Sequence, residues 1–227
     1  MKRVVLIIAV LVSGILTANA QVFVGGGIGV DLTGGKFKIG SNSIDAPSSF
    51  TFQITPKVGY YLSDDLSIGL EVGLISSSVT TPKEYLHWGA SDDQIVSIIG
   101  WQVGAFSRYK FVGTDKLSLL LEGGLAIGGY QSKTKYGSNT TDDDPVSLFT
   151  IGVLPVLSYD LSDRLSIEAS CDFLRLGFTS NTLKDVDNKD NKMTTTHFGL
   201  GLNATNPASD SLGVESPLFR VGLVFKF

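Results

Sequence analysis

The 227-residue sequence contains a single cysteine, Cys171, and only two histidines, His87 and His197. One thiol cannot close an internal disulfide, so stability has to come from other contacts. Both histidines fall in or beside long polar stretches. Hydrolytic chemistry needs a base within reach of a nucleophile and a third group to orient it, and neither histidine has such neighbours in sequence. Positive charge is scarce as well, with 18 Lys and Arg against 22 Asp and Glu. That balance argues against a nucleic-acid partner, because phosphates demand a basic surface. After residue 20 there is no apolar run long enough for a membrane-crossing helix. Mean hydropathy is nevertheless positive, at +0.21. Alternating strands hide their hydrophobicity from a window average in this way.

The first twenty residues read as an export signal and are set apart from the fold. Lys2 and Arg3 form a positive start, Val4 to Val12 an apolar run, and Ala18-Asn19-Ala20 a small-residue cleavage site. The run is too short to span a bilayer. The mature domain is expected over residues 21–227, beginning at Gln21 without a lipid-anchor cysteine. Losing Lys2 and Arg3 takes the formal charge from −4 to −6.

One phrase recurs three times about fifty residues apart. It is Tyr60-Tyr61-Leu62-Ser63-Asp64-Asp65-Leu66-Ser67-Ile68, then Tyr109 to Leu119, then Tyr159-Asp160-Leu161-Ser162-Asp163-Arg164-Leu165-Ser166-Ile167. Each copy is a tight polar turn between runs of period-2 alternation, which is the signal of a β-hairpin. Each places a tyrosine at the same height of the incoming strand. Tyr60, Tyr109, Tyr159 and, in the last strand, Phe225 are therefore expected on one plane, such as a bilayer interface.

Alternation divides the chain into eight runs. Apolar residues such as Val24, Ile28 and Val30 oppose Gly25, Gly27, Gly29 and Asp31, with Phe23 on this second face. Phe50, Phe52, Ile54 and Val58 oppose Thr51, Gln53, Thr55 and Lys57. Further runs start at Leu66, Ile99, Leu117, Phe149 and Leu165, and the last ends the chain at Phe227. Connections are alternately short and long, the long polar ones lying near 33–49, 77–93, 131–145 and 179–216. This pattern predicts an all-β, eight-stranded antiparallel up-and-down transmembrane barrel. Pro56 and Pro155 cannot donate to a ladder and are expected at bulges or near a rim. Thr195 to Asn203 alternates like another strand. It is either a β extension of the last loop or an interrupted upper part of strand eight.

The apolar face is bulky, whereas the other face is largely Gly, Ser, Thr and scattered charge. An eight-stranded barrel has an interior only just wide enough for side chains, so the small face belongs inside and the bulky one outside. This rules against a soluble, lipocalin-like barrel. A turn at Ser63-Asp64-Asp65 sets Lys57 opposite Glu71, and two strands on Arg108 lies opposite or diagonal to Glu122. These four charges, alternating in sign at one depth, either line a selective pore or form a packed plug that fixes register; the narrow interior favours the plug.

Other patterns carry less. Gly25 to Gly29 and Gly34-Gly35-Lys36 lack the first glycine, the hydroxyl residue and the helix of a phosphate loop. Asp185 to Asp190 places Lys189 at a calcium-ligand position and lacks the glycine. Asp142-Asp143-Asp144 reads as a solvated acidic loop tip. Asn139-Thr140-Thr141 and Asn203-Ala204-Thr205 match glycosylation sequons too common to use. No metal, cofactor or catalytic residue is expected.

With Ala18-Asn19-Ala20, the Gly25–Gly29 strand, Gly104-Ala105-Phe106-Ser107-Arg108-Tyr109, the repeated turns and the terminal strand 219–227, the chain resembles the small outer-membrane β-barrels of Gram-negative bacteria, OmpA- and OmpX-like. The resemblance implies an outer-membrane location, contact with outer-membrane lipid and lipopolysaccharide, and a monomer. It also implies that the terminal aromatic Phe227 is read by the barrel-assembly machinery. A cell-wall-binding domain after the barrel, as in the full OmpA pattern, is not expected, and neither is a cell-wall tethering role. Two functions remain open: a non-catalytic barrel acting structurally or through surface contacts of its long loops, and a narrow pore for small or apolar solutes.

Overall fold

A computed structural model describes residues 21–86, 91–171, 175–184, 192–201 and 219–227. The strands are β1 (Val22–Thr33), β2 (Lys36–Ile39), β3 (Asn42–Asp45), β4 (Ser48–Tyr61), β5 (Leu66–Thr81), β6 (Gln94–Gly113) and β7 (Leu117–Tyr136). They continue as β8 (Asn139–Asp142), β9 (Val146–Ser162), β10 (Leu165–Cys171), β11 (Arg175–Lys184), β12 (Lys192–Gly201) and β13 (Phe219–Lys226). One turn of 3₁₀ helix spans Lys83–Tyr85.

Eight of these strands close on themselves in the order β1-β4-β5-β6-β7-β9-β10-β13, and β13 returns to β1. All the pairings are antiparallel, so the wall is an up-and-down barrel. Closure leaves no edge along the paired stretch, which is how a β-structure satisfies all its backbone groups. The other strands form excursions. β2 and β3 make a hairpin of their own, and β8 folds back on the top of β7. Both turn on a glycine with positive φ, Gly40 at 65° and Gly137 at 57°, a conformation L side chains rarely adopt.

The repeated phrase forms the three short turns. Ser63 Oγ accepts the backbone N–H of Leu66 at 3.1 Å, and Ser162 Oγ accepts that of Leu165 at 3.2 Å. Thr114 Oγ1 accepts from Leu117 at 3.1 Å. A short hydroxyl side chain thus supplies the acceptor that a tight turn leaves its backbone without. The register shifts by a residue beside two of these turns, at Lys110/Val112 and Leu165/Ser166.

The far end of the barrel differs from the expectation of long polar loops. β5 runs on to Thr81, and β6 and β7 are 20 residues each, so the stretches near 77–93 and 131–145 are partly strand. At about 3.3 Å per residue each is about 66 Å long, far more than the 9–11 residues a crossing needs. Serines and threonines there (Ser76, Ser77, Ser78, Thr80, Thr81) alternate without an apolar face, so hydrophobic periodicity could not mark them as strand.

Neither proline sits at a bulge. Pro56 lies mid-strand, and the ladder to β5 skips from Ile54↔Leu74 to Lys57↔Glu71 without a change of register. Pro155 pairs with Leu121 on one side. On its other side β10 ends its pairing at Val156 and β11 begins at Val153, so Pro155 faces the break where no donor is called for. β11 therefore continues the wall line of β10, and β12 pairs with it from Lys184↔Lys192 to Arg175↔Gly201. Among the described residues β12 pairs with β11 alone and has no ladder to β1, as a β extension of the last loop would. The signal segment, His87, Asp185 to Asp190 and Asn203 lie outside the described residues.

Candidate functional site: a charged belt across the lumen

The outward face of the barrel is apolar. Val24, Ile28, Phe52, Leu70, Val72, Leu74, Trp101, Val103, Leu125, Ile127, Ile151, Leu223 and their neighbours are exposed on it. The alternation that defined the runs puts the bulky set outside, as a narrow interior requires. At the end with the short turns, Tyr60, Tyr109, Tyr159 and Phe225 all face outward, between 40% and 53% exposed. Tyr109 pairs with Leu66, Tyr159 with Leu117 and Phe225 with Leu165, each immediately inside its turn, so the four rings share one rim. Tyr60 hydroxyl donates to the Gln21 side chain. Phe227 stacks edge-on against Phe225 at 5.1 Å, and its N–H bonds the Val22 carbonyl at 3.0 Å.

The inward face holds the charges. Lys57 on β4 lies directly opposite Glu71 on β5, and Arg108 on β6 directly opposite Glu122 on β7. The bonds they make do not simply follow these neighbours. Lys57 Nζ is 3.9 Å from Glu71 but 3.0 Å from Glu122 Oε2, three strands away. Arg108 Nε donates to the same Glu122 Oε2 at 2.6 Å. Both Nη atoms of Arg108 then reach across to Glu168 on β10, each at 2.9 Å, in a fork-to-fork pair. The chain of contacts Glu71–Lys57–Glu122–Arg108–Glu168 therefore crosses the lumen. Arg108 is 4% exposed and Glu122 5%.

Glu168 was on the polar face of the seventh run, and its role was not legible there. Only closure brings β10 within reach of β6, and β7 and β9 stand between them. Arg220 on β13, buried just above the belt, completes the balance of the interior: Lys57, Arg108 and Arg220 against Glu71, Glu122 and Glu168. A neutral set is what a confined interior tolerates, because an uncompensated buried charge is costly.

Below the belt, toward the short turns, lies a polar cavity of about 100 Å³ bordered by Lys110, Ser118, Ser158 and Asp160. Asp160 accepts from Lys226 at 2.8 Å and from the Ser166 hydroxyl. Above the belt a space of about 20 Å³ borders Thr55, Ser170 and Arg220, room for about one water. Arg108 and Glu168 line both and separate them. A closed eight-stranded barrel with a filled, charged interior is the result.

No protein-family model and no curated protein matches the chain. Solved structures do. The attachment invasion locus protein Ail of Yersinia pestis is 11% identical over 92% of this chain and 100% of its own, at a TM-score of 0.39. A major outer membrane protein from Thermus thermophilus is 13% identical over 92% and 100%, at 0.46. Neisserial surface protein A is 15% identical over 91% and 97%, at 0.35.

The acidic tip Asp142-Asp143-Asp144 is partly engaged: Asp142 pairs with Lys133 at 3.1 Å and Asp143 accepts from Ser132 at 2.6 Å. His197 stands on β12 opposite Thr179, exposed.

Proposed function

We propose that the protein is a non-catalytic, closed barrel of the bacterial outer membrane. In this reading it acts as an envelope component and through surface contacts of its long loops, and it does not conduct solutes. The observation that carries the reading is the belt: Arg108, almost wholly buried, bonds Glu122 on one side of the lumen and Glu168 on the other. The apolar exterior supports a bilayer around it, and the row of Tyr60, Tyr109, Tyr159 and Phe225 supports an interface at the short-turn end. Both ends of the mature chain then face the periplasm, and the tall strands β5 to β7 rise outside the cell. Lipid and lipopolysaccharide surround the barrel, Phe227 serves the assembly machinery, residues 1–20 are removed on export, and the chain is a monomer.

The conductance of the full mature chain in planar bilayers tests this. No ion steps are expected. The cavities above and below Arg108 favour a second reading, a narrow pore interrupted only at the belt. Steady single-channel currents in the parent, abolished by changes at Arg108 or Glu122, would establish that reading instead.

A further inference from the structure

Charge alone does not hold a guanidinium flat across a lumen, since its bonds lie in one plane and leave both faces open. Here two phenylalanines, their centroids 6.3 Å apart, lie together on one side of it. Phe23 on β1 and Phe106 on β6 are separated by two strands, and the register at their height runs Phe23↔Gly59, Gly59↔Gly69, Gly69↔Phe106. Glycine at both middle positions lets the rings lie down on the backbone. A Cβ on Gly59 would stand inside the Phe23 ring, and one on Gly69 inside the Phe106 ring. The two rings come within 6.3 Å of each other, and Phe23 also meets Tyr61 at 5.0 Å. Phe23 is fully buried.

The Arg108 guanidinium lies 5.6 Å from the Phe23 centroid and 5.2 Å from that of Phe106. Lys57 Nζ is 5.1 Å from Phe106. All three are within cation–π range, in a site from which water is largely excluded. The same guanidinium forms the wall between the two cavities.

We propose that Phe23 and Phe106, seated on the Gly59–Gly69 backbone, form the latch that keeps the lumen sealed. The rings hold Arg108 in the orientation in which it bridges Glu122 and Glu168. Without them the side chain keeps its charge partners within reach but gains freedom to swing along the barrel axis into the cavity below. The latch rests on the closed-lumen reading given above. Its chemistry is separate: that reading depends on the ion pairs, the latch on two rings and two glycines.

The test is ion conductance of the folded full mature chain in planar bilayers, parent beside Gly69→Ala and Phe106→Ala. Gly69→Ala leaves every charge and ring in the chain, and its Cβ would displace the Phe106 ring and press on the Val58 carbonyl of β4. Both variants are expected to show current steps where the parent shows none. The shift in closed-to-open balance should be on the order of thirtyfold, the factor lost with a desolvated cation–π contact. Gly123→Ala is the control, because a Cβ there would meet only Val153 Cγ2, at 3.7 Å, and it should stay silent. Currents in the parent would remove the closed-lumen reading itself. A silent parent with silent, folded variants would overturn the latch and leave the closed lumen standing. If either variant fails to give a heat-modifiable band, Phe23→Leu and Phe106→Leu carry the test. They keep most of the apolar bulk without the ring, and silence in their folded forms would equally overturn the proposal.

Discussion

Arg108 shows how differently similar-looking charges are held. Its removal leaves Glu122 with only Lys57 and Glu168 without the fork that binds both its oxygens. Arg108→Ala should therefore lower stability by about 3–5 kcal/mol, less where lumen water reaches the orphaned carboxylates. Urea unfolding in lipid or detergent measures the loss, and an unchanged midpoint would disprove the network. Glu71 makes the opposite case. Its Oε2 is buried without a hydrogen bond, and its Lys57 contact is a long 3.9 Å. Glu71→Gln should accordingly cost less than Arg108→Ala in the same titration, since it breaks one long contact and leaves Lys57 its bond to Glu122. Tyr159→Ala should also cost less than Arg108→Ala, because its ring has lipid and headgroups around it in either state. Lys57 and Glu71 face each other as strand alternation predicts, yet Lys57 prefers Glu122, because a long side chain in a narrow barrel can cross it.

At the scale of elements, the turns carry their own instructions. Ser162 Oγ accepts from both Arg164 and Leu165, at 3.3 and 3.2 Å. Ser162→Ala should destabilise the barrel by about 0.5–1.5 kcal/mol, the net value of an intramolecular hydrogen bond. Equilibrium unfolding would show this, and a loss as large as that of Arg108→Ala would contradict a local role. Gly40 sits at a φ of 65° with open space around it. Gly40→Ala therefore introduces backbone strain of about 1–2 kcal/mol and no clash. The β2–β3 hairpin should be cleaved faster by protease while the barrel's unfolding midpoint stays unchanged. These elements were legible: eight alternating runs became eight wall strands. The upper parts of β5 to β7 were not: β5 carries Ser and Thr on both faces, β6 has apolar Ile95, Val96 and Ile98 on both, and β7 is polar on both, so alternation had nothing to mark. The prolines were misread for a related reason. A missing donor matters only where a neighbour needs it, and neighbours are decided by the assembled wall.

The whole molecule turns its bulky residues outward and its small and charged ones inward, the inverse of a water-soluble barrel. In detergent it should give a purely β circular-dichroism spectrum and a folded band on gels that shifts on heating. A stable soluble monomer without detergent would be incompatible with an apolar exterior of this extent. By itself the sequence determined the strand faces, the three short turns, the inside-out orientation and the Lys57–Glu71 adjacency, and it narrowed Arg108 to a place opposite or diagonal to Glu122. Each follows from a period of two and a turn of known length, which are local quantities. Tertiary structure alone decided that Glu168 joins the belt with Arg220 just above it, that Lys57 reaches past its neighbour, and that Phe23 and Phe106 meet over two glycines. Those contacts link strands far apart in the chain, and only the closure of β1 onto β13 sets the radius at which side chains from opposite walls can touch.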